Sequence, residues 1–170
     1  MDKILILGSI GSGKTTLASK LSKNLGIKYF ELDNIAYKRR DIHEKNKPAV
    51  RDKKVRAILK RKNWIVEGFY SKQWTYPFYR ESDAIIILNV NPFISKKRVI
   101  LRYLKRRLSL RKTKKHNKKF RAMLNLLRYI DEYPKYLKKQ KEAAKCNNKK
   151  PIVLNNKKEV KKFIQSSKEK

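Results

Sequence analysis

Eight residues near the start of the chain, residues 8–15, have the types and spacing that bind a polyphosphate. Their sequence, GSIGSGKT, matches the pattern G-x-x-x-x-G-K-[ST] at every fixed position. Glycine permits backbone conformations that are closed to other residues, so successive N–H groups can surround phosphate oxygens. Lys14 would place a cation at the β- and γ-phosphates, and the Thr15 hydroxyl would bind Mg²⁺. The segment therefore predicts a site for a nucleoside triphosphate such as ATP, with Mg²⁺.

Two carboxylates follow predicted strands and are candidates for the chemistry beside that site. Asp33 follows a predicted strand at 27–32, and Glu67 follows one at 63–66. In open α/β sheets, functional groups gather just past the carboxyl ends of strands. We expect Asp33 to accept or orient the hydroxyl of a phosphoryl acceptor, although Asp at this position also commonly caps a helix. We expect Glu67 to hold Mg²⁺ through water or to orient the acceptor, and Gly68 to let the acceptor approach closely.

Arginines form the third set of candidates. Arg98, Arg102 and Arg106 recur every four residues in a predicted helix, which places three guanidinium groups along one face. Arginine suits phosphate because its planar donors are fixed and always charged. Arg128 follows a short basic segment and is expected to close on the phosphates from the far side of that segment. A solvated basic face is the alternative interpretation of the arginine spacing.

Strands and helices alternate along the chain and would position these candidates. Apolar runs predict strands, and periodic apolar spacing predicts helices. The predicted strands are 4–7, 27–32, 63–66, 84–90 and 151–154. The predicted helices are 15–25, 48–61, 92–108, 120–144 with a possible kink near Pro134, and 158–165. This alternation predicts an α/β fold with three layers, α/β/α, around a parallel sheet.

The predicted domain organisation is a single domain over residues 1–170. It includes an acceptor-side insert at about 34–62 and a short basic lid at about 108–119. Within the insert, residues 37–47 are polar and show no periodicity, so we expect a mobile loop there. No internal repeat or linker is found.

Charge is the second large feature of the composition. Forty-seven Lys and Arg residues against fourteen Asp and Glu residues give a formal charge of +33 over 170 residues. Such a surface attracts polyanions, so nonspecific binding of nucleic acid is expected at low salt. The compositional bias of an AT-rich genome is an alternative explanation for the excess of lysine.

Other features of the composition concern the compartment and the partners. The first apolar run is four residues long and ends in glycine, which does not resemble a secretory signal. No stretch approaches the 18 apolar residues that would span a bilayer. The single cysteine, Cys146, excludes an internal disulfide and fits a reducing compartment. We therefore expect a cytoplasmic protein without a membrane partner, either monomer or dimer.

With these residues identified, the chain resembles the adenylate-kinase-like branch of the P-loop kinases. Within that branch it is similar to the small bacterial topology modulation proteins, which are named for an inferred effect on DNA topology. The resemblance rests on residues 8–15, the Leu32-Asp33 pair, the segments 64–71 and 82–107, and residues 152–154. It implies a P-loop NTPase fold with a five-stranded parallel sheet in the strand order 2-3-1-4-5.

The resemblance also assigns roles to individual residues. Arg98 matches the arginine that stacks on adenine in adenylate kinases, and Arg102 matches one that contacts the ATP phosphates. Asn155 falls where that family has its adenine loop. Glu67-Gly68-Phe69 resembles the family's Asp-Gly-Phe, but Tyr70-Ser71 stands where the family has Pro-Arg. This departure argues against a nucleoside monophosphate as acceptor. Because the lid has no cysteines, no zinc is expected.

Together these observations predict a phosphotransferase that moves the γ-phosphoryl group of MgATP to a small acceptor, which is a nucleotide, a nucleoside or another hydroxyl compound. The expected catalytic residues are Lys14, Asp33 and Arg102. The expected nucleotide-binding residues are Gly8, Ser9, Gly11, Ser12, Gly13, Lys14, Thr15, Thr16, Arg98, Arg102 and Asn155. The acceptor would contact Asp33, Glu67, Gly68 and Arg128, and the metal would contact Thr15 and Glu67. The alternatives are a nucleotide-dependent DNA-binding regulator with little turnover, and a nucleotide-sensing interaction protein.

Overall fold

Short apolar runs form strands and amphipathic segments form helices, in the alternating order that the sequence predicts. The structure is a computed structural model that describes residues 1–38, 41–109 and 116–167, with the backbone alone at 41–43, 106–107, 109 and 116–119. The strands are β1 (Lys3–Gly8), β2 (Tyr29–Glu31), β3 (Tyr37–Lys38), β4 (Asp41–Lys45), β5 (Trp64–Gly68), β6 (Ala84–Leu88) and β7 (Ile152–Leu154). The helices are α1 (Lys14–Leu25), α2 (Leu32–Ala36), α3 (Pro48–Leu59), α4 (Tyr76–Glu81), α5 (Pro92–Ser109), α6 (His116–Asp131), α7 (Tyr133–Cys146) and α8 (Lys157–Ser166).

Five of the strands form one parallel sheet in the order β2-β5-β1-β6-β7. Counted among these five strands alone, the order is 2-3-1-4-5, so the predicted fold class and strand order are confirmed. The central strand, β1, lies between β5 and β6 and is buried from Ile4 to Gly8. Because the strands are parallel, their carboxyl ends, which carry the predicted site residues, share one edge of the sheet.

Helices cover both faces of the sheet, which gives the three predicted layers. Successive strand residues point to opposite faces, so Leu5 and Leu7 of β1 pack in one core while Ile4 and Ile6 pack in the other. The first core is closed by α2, α3, α4 and α7, and the second by α1 and α8. The first core also contains Trp64, whose ring meets the ring of Phe78 edge to face at a centroid distance of 5.4 Å.

The acceptor-side insert contains an antiparallel hairpin, so the predicted loop at 37–47 is wrong. β3 pairs with β4, and Asn46 closes the base of the hairpin. The side-chain amide of Asn46 donates to the carbonyl oxygens of Ile35 and Tyr37, at 2.9 Å each. The sequence shows little apolar alternation here because hydrogen bonds from the Asn46 side chain help to organise the segment.

The predicted long helix at 120–144 is two helices, which is the second correction. α6 ends at Asp131 and α7 begins at Tyr133, with Glu132 between them. Pro134 lies in the first turn of α7, where its missing N–H has no intrahelical partner to lose. A proline that would distort the middle of one helix is thereby accommodated at the start of another.

The remaining predictions concern the lid and the membrane. Half of the predicted lid, residues 110–115, lies outside the described residues, as does the side chain of Arg106. Among the helices that the structure describes, none combines the length and the apolar character that crossing a bilayer requires.

Candidate active site

The segment between β1 and α1 forms a tight loop whose glycines are needed for its shape. Gly11 has a φ of 76°, and Gly13, which precedes α1, has a φ of 103°, both in the region that side chains disfavour. A Cβ on Gly11 would also lie 2.6 Å from the carbonyl oxygen of Ser95 on α5. The loop is therefore held between the end of a strand and the side of a helix.

Several donors of this loop are not used by the protein. Ser12 N–H donates to the carbonyl of Ser9 at 3.2 Å. Within the described part of the chain, the backbone N–H groups of Ser9, Ile10, Gly11 and Gly13 have no hydrogen-bond acceptor. The buried hydroxyls of Ser9 and Ser12 also lack a partner there. Buried polar groups without partners are uncommon, and a cluster of donors in one loop suits an anion with many oxygens.

Lys14 begins α1 and folds back over the loop. Its Nζ donates to the carbonyl oxygen of Ser9 at 2.9 Å, so the cation lies against the residues that would surround phosphate. Burial lowers the pKa of Lys14, and the positive charge of Arg102 acts in the same direction. The carboxylates of Glu67 and Asp33 oppose this shift in pKa. Lys14 thus lies within electrostatic reach of both predicted acids.

Thr15 and Glu67, the two predicted metal ligands, lie in contact. The Thr15 hydroxyl donates to Oε1 of Glu67 at 2.6 Å, which joins the first turn of α1 to β5. Glu67 is the penultimate residue of β5, rather than the residue after the strand, and it is only 5% exposed. Burial raises the pKa of Glu67, and Glu31 and Asp33 add to the shift, while Lys14 and the bond from Thr15 oppose it.

The chemistry of this pair fits Mg²⁺. Mg²⁺ keeps several waters and takes one or two protein carboxylates together with phosphate oxygens. Thr15 and Glu67 supply one hydroxyl and one carboxylate at the same point. Among residues 1–38, 41–109 and 116–167, no group of three His, Cys, Asp and Glu side chains could hold a metal ion by itself. A metal bound at Thr15 and Glu67 would therefore depend on phosphate and water for its other ligands.

Asp33 lies at the same edge of the sheet, in the first turn of α2. The residue that caps α2 is Glu31, so Asp33 is not the helix cap that the sequence left as an alternative. Asp33 is exposed, and its Oδ1 accepts a hydrogen bond from the Tyr70 hydroxyl at 2.9 Å. Burial, followed by the charge of Asp33 and this hydrogen bond, raises the pKa of Tyr70. The phenol is therefore held in its protonated, donating form.

Sequence reasoning missed this contact between Tyr70 and Asp33. It treated Tyr70 only as a departure from a family pattern. The ring of Tyr70 does pack beside the ring of Trp74, with a centroid distance of 5.6 Å, but its hydroxyl reaches the candidate acid. The signal that could have revealed the contact is a tyrosine placed just after a strand that carries a site residue.

The residues after Glu67 connect the site to α7. A Cβ on Gly68 would meet the side chain of Leu32 at 2.7 Å, so this glycine makes room for α2; its predicted role toward an acceptor stays a prediction. The carbonyl oxygen of Phe69 accepts a hydrogen bond from the Gln140 amide at 2.9 Å. Gln140 is fully buried and in turn accepts one from the Tyr133 hydroxyl at 3.1 Å.

On its other side, the loop opens into a cavity of 960 Å³ that extends between α5 and α8. Leu88, Val90, Val160 and Ile164 contribute an apolar lining. None of the described residues that line the cavity is acidic, and six are basic: Lys20, Arg98, Arg102, Lys105, Lys157 and Lys161. We call this cavity the basic cleft. An apolar wall next to several cations suits a nucleobase joined to phosphates.

The basic cleft brings together the predicted nucleotide-binding residues outside the loop. Thr16, Arg98, Arg102 and Asn155 all line it. Nη1 of Arg98 donates to the carbonyl oxygens of Gly11 and Ser12, at 3.0 Å each, so Arg98 also holds the outer side of the loop.

Asn155 and Asn156 lie between β7 and α8. The Asn89 amide donates to Oδ1 of Asn155 at 2.9 Å, and the Asn155 N–H donates to Glu159 at 2.7 Å. Asn156 caps α8, since its side chain accepts a hydrogen bond from the N–H of Glu159. These bonds fix the turn at the position predicted for an adenine loop.

Arg128 is exposed in the last turn of α6. Among the described residues it makes no ion pair. The structure therefore does not join Arg128 to the other candidates, and its predicted role stays a prediction.

We call Glu31, Asp33 and Glu67 the acidic edge. Glu31 of β2 is paired in register with Glu67 of β5, and Asp33 follows two residues after Glu31. Lys14 is within electrostatic reach of both regions, since Glu67 and Asp33 of the acidic edge and Arg102 of the basic cleft all influence its pKa.

A family model described as an AAA domain matches residues 4–132, which is more than half of the chain. This range contains the loop, both predicted acids and the three predicted arginines, Arg98, Arg102 and Arg106. No curated protein sequence matches the chain.

Solved structures with a similar fold include two shikimate kinases and a gluconokinase. The shikimate kinase of Bacteroides thetaiotaomicron has a TM-score of 0.59 and 13% identity, over 99% of this chain and 97% of its own. The enzyme of Acinetobacter baumannii, solved in complex with shikimate, has a TM-score of 0.54 and 16% identity, over 98% and 90%. The gluconokinase of Sinorhizobium meliloti 1021 has a TM-score of 0.51 and 11% identity, over 98% and 89%.

At these identities the likeness concerns the fold, and the chain has the fold of the P-loop kinases. The finer resemblance to topology modulation proteins stays a prediction.

Proposed function

Because this chain belongs to the AAA domain family, we propose that it is an ATP-dependent phosphotransferase that transfers the γ-phosphoryl group of MgATP to a hydroxyl group of a small acceptor. The observation that carries the proposal is the loop at residues 8–15, where unused N–H donors and Lys14 lie beside two carboxylates. A purely structural loop would use these donors within the protein.

The donor nucleotide would lie in the basic cleft. Loop N–H groups and Lys14 would bind the β- and γ-phosphates, and the start of α1 would favour their charge. Arg98 and Asn155 would border the base, and Arg102 would offset charge on the transferring group. Thr15 and Glu67 would hold Mg²⁺, which would supply positive charge to offset that of the phosphates.

The acceptor would approach from the acidic edge. Its hydroxyl oxygen forms a bond to the γ-phosphorus, the bond from that phosphorus to the β–γ bridging oxygen breaks, and ADP leaves. Asp33 orients the hydroxyl and takes its proton. Gly68 and Arg128 are the other residues that we propose near the acceptor. Positioning and charge neutralisation account for most catalysis of this kind, so no covalent nucleophile is needed.

The proposal is tested by comparing Lys14→Ala with Lys23→Ala. Lys23 is an exposed lysine in the last turn of the same helix and does not line the basic cleft. MgATP affinity is measured by calorimetry, and ADP release is measured with a panel of nucleosides, nucleotides and polyols. We expect Lys14→Ala to lower turnover by about 100-fold or more and Lys23→Ala to leave it unchanged. Failure of the wild-type protein to bind any purine triphosphate with Mg²⁺, or full activity of Lys14→Ala, would overturn the proposal.

The second candidate is a nucleotide-dependent regulator that binds DNA and turns over little ATP. The observation that favours it is the row of exposed lysines on α8, Lys157, Lys158, Lys161 and Lys162, two of which also line the basic cleft. Duplex DNA titrated across a salt series, with and without MgATP, distinguishes the two functions. DNA affinity that depends on MgATP, together with flat turnover for every small acceptor, would favour the regulator.

A further inference from the structure

The distribution of charge around the site is opposite to that of the whole chain. The chain contains only fourteen acidic residues against forty-seven basic ones, yet three of the fourteen form the acidic edge. Glu31 is paired in register with Glu67, and Glu31 and Asp33 both raise the pKa of Glu67, so both lie within electrostatic reach of it. A concentration of negative charge beside the phosphate loop needs an explanation that the basic composition does not supply.

Asp33 is held in position by contacts that leave it accessible. Its Oδ1 accepts the hydrogen bond from Tyr70 at 2.9 Å, and the residue is exposed. The Tyr70 ring is supported by Trp74, and the guanidinium of Arg51 lies over the Trp74 ring at 5.4 Å from its centroid. The bond from Tyr70 fixes one carboxylate oxygen of Asp33. Within the described residues, the other oxygen has no hydrogen-bond partner and can meet a hydroxyl group.

Some cations of the acceptor-side insert pair with other groups of the protein at its surface. Three of them have the following partners: Lys38 pairs with Glu44, Arg51 pairs with Asp52 at 3.0 Å, and Lys54 donates to the carbonyl oxygen of Asn34 at 2.9 Å. An anionic acceptor is usually bound through arginine or lysine side chains, which offer fixed or mobile cationic donors.

We propose that the acceptor is a hydroxyl compound without negative charge near its reacting hydroxyl, such as a neutral polyol or an amino alcohol, and that Tyr70 is the positioning residue that orients Asp33 toward that hydroxyl. This inference rests on the phosphotransferase function proposed above. Like charges brought together in a partly desolvated site discriminate strongly, so the carboxylates of the acidic edge exclude anions as well as bind hydroxyl groups.

The acceptor class is tested with pairs of compounds that differ mainly in charge: ethanolamine with glycolate, sorbitol with gluconate, and adenosine with AMP. Phosphorylated products are quantified with MgATP and wild-type protein, and Lys14→Ala serves as the blank. We expect kcat/KM for the uncharged or cationic member to exceed that of its anionic partner by about tenfold or more.

Different outcomes would overturn the acceptor class and the phosphotransferase function. Equal or better use of the anionic members, with turnover that depends on Lys14, would overturn the acceptor class and leave the phosphotransferase intact. Binding of MgATP without phosphorylation of any pair member would also count against the acceptor class. Absence of MgATP binding would remove the phosphotransferase and this inference with it.

The role of Tyr70 is tested with Tyr70→Phe, which keeps the ring beside Trp74 and removes the hydrogen bond to Asp33. Tyr76→Phe is the matched control, since Tyr76 is 47% exposed on α4. We expect Tyr70→Phe to lower kcat about tenfold while the KM for MgATP and the melting temperature stay close to wild type. An unchanged kcat, or a fall explained by a lower melting temperature, would overturn the positioning role.

Discussion

The basic cleft and the acidic edge carry opposite charge, each within electrostatic reach of Lys14, and they differ in how well the composition of the chain explains that charge. Six cations line the basic cleft, but cations are expected almost anywhere in a chain with a formal charge of +33. At the acidic edge Glu31 and Glu67 are paired in register and Asp33 lies within electrostatic reach of Glu67, a concentration of acids that the composition does not explain. The acidic edge is therefore the more informative half of the site, because its charge is opposite to the net charge of the chain.

The most direct test of this difference is to neutralise Asp33 in the acidic edge. We expect Asp33→Asn to lower kcat by about 100- to 1000-fold, because the variant cannot take the proton of the acceptor hydroxyl. The affinity for MgATP should stay unchanged, since Asp33 does not line the basic cleft. Steady-state kinetics and calorimetry measure the two effects separately. Asp2→Asn, at an exposed residue near the amino terminus, is the control. A loss of MgATP affinity equal to the loss of kcat would show that the two sides are not separate.

The matching change in the basic cleft is Arg98→Ala. It removes the hydrogen bonds to the carbonyl oxygens of Gly11 and Ser12 together with one cation of the cleft. We expect the Kd for MgATP to rise by about tenfold, because a charge-assisted contact is typically worth about 1.5 to 3 kcal/mol. Arg80→Ala, at an exposed arginine of α4, is the control. If acceptor KM rises more than the Kd for MgATP, the cleft does not hold the donor.

The smallest effect concerns the stability of the acidic edge in protein freed of metal by a chelator. Burial raises the pKa of Glu67, so its ionised form destabilises the folded state. Below the usual pKa of glutamate, protonated Glu67 adds to the free energy of unfolding. This contribution is lost as the pH rises through the raised pKa of Glu67 in the folded protein. We therefore expect Glu67→Gln to increase the free energy of unfolding by about 1 kcal/mol at pH 7.5 and to change it little at pH 4.

Urea unfolding at the two pH values measures this difference. Glu142→Gln, at an exposed position on α7, should show no gain at either pH. A gain of the same size at pH 4 and pH 7.5 would mean that the charge of Glu67 is not the cause.

The parts of the fold that the sequence predicted are those that depend on nearby residues. Residues 84–88 form a buried strand because an unbroken apolar run fits a parallel sheet, and the glycines of residues 8–15 determine the loop by their conformational freedom. The strand order followed from the family resemblance and is confirmed.

The features that the sequence did not predict depend on contacts with distant residues, or on two local structures that fit the same residue equally well. Asn46 closes the hairpin of β3 and β4 through hydrogen bonds that no periodicity reveals. Pro134 is compatible with a kink or with a new helix, and packing decides between them. Tyr70 reaches Asp33 across 37 positions in the sequence, from the end of a neighbouring strand. The residue types at the site were therefore predictable, but the contact that orients Asp33 was not.

The hydrogen bond from Gln140 to the carbonyl oxygen of Phe69 has a consequence for biosynthesis. The strand that carries Glu67 is synthesised early. The side-chain amide that binds the carbonyl oxygen just after this strand belongs to Gln140 of α7, more than seventy positions later. Since a chain emerges from the ribosome amino terminus first, the phosphate loop can form while the acceptor side is still open. The basic cleft is completed later still, because α8 follows α7 in the chain, so neither side of the site is finished until almost all of the chain has emerged.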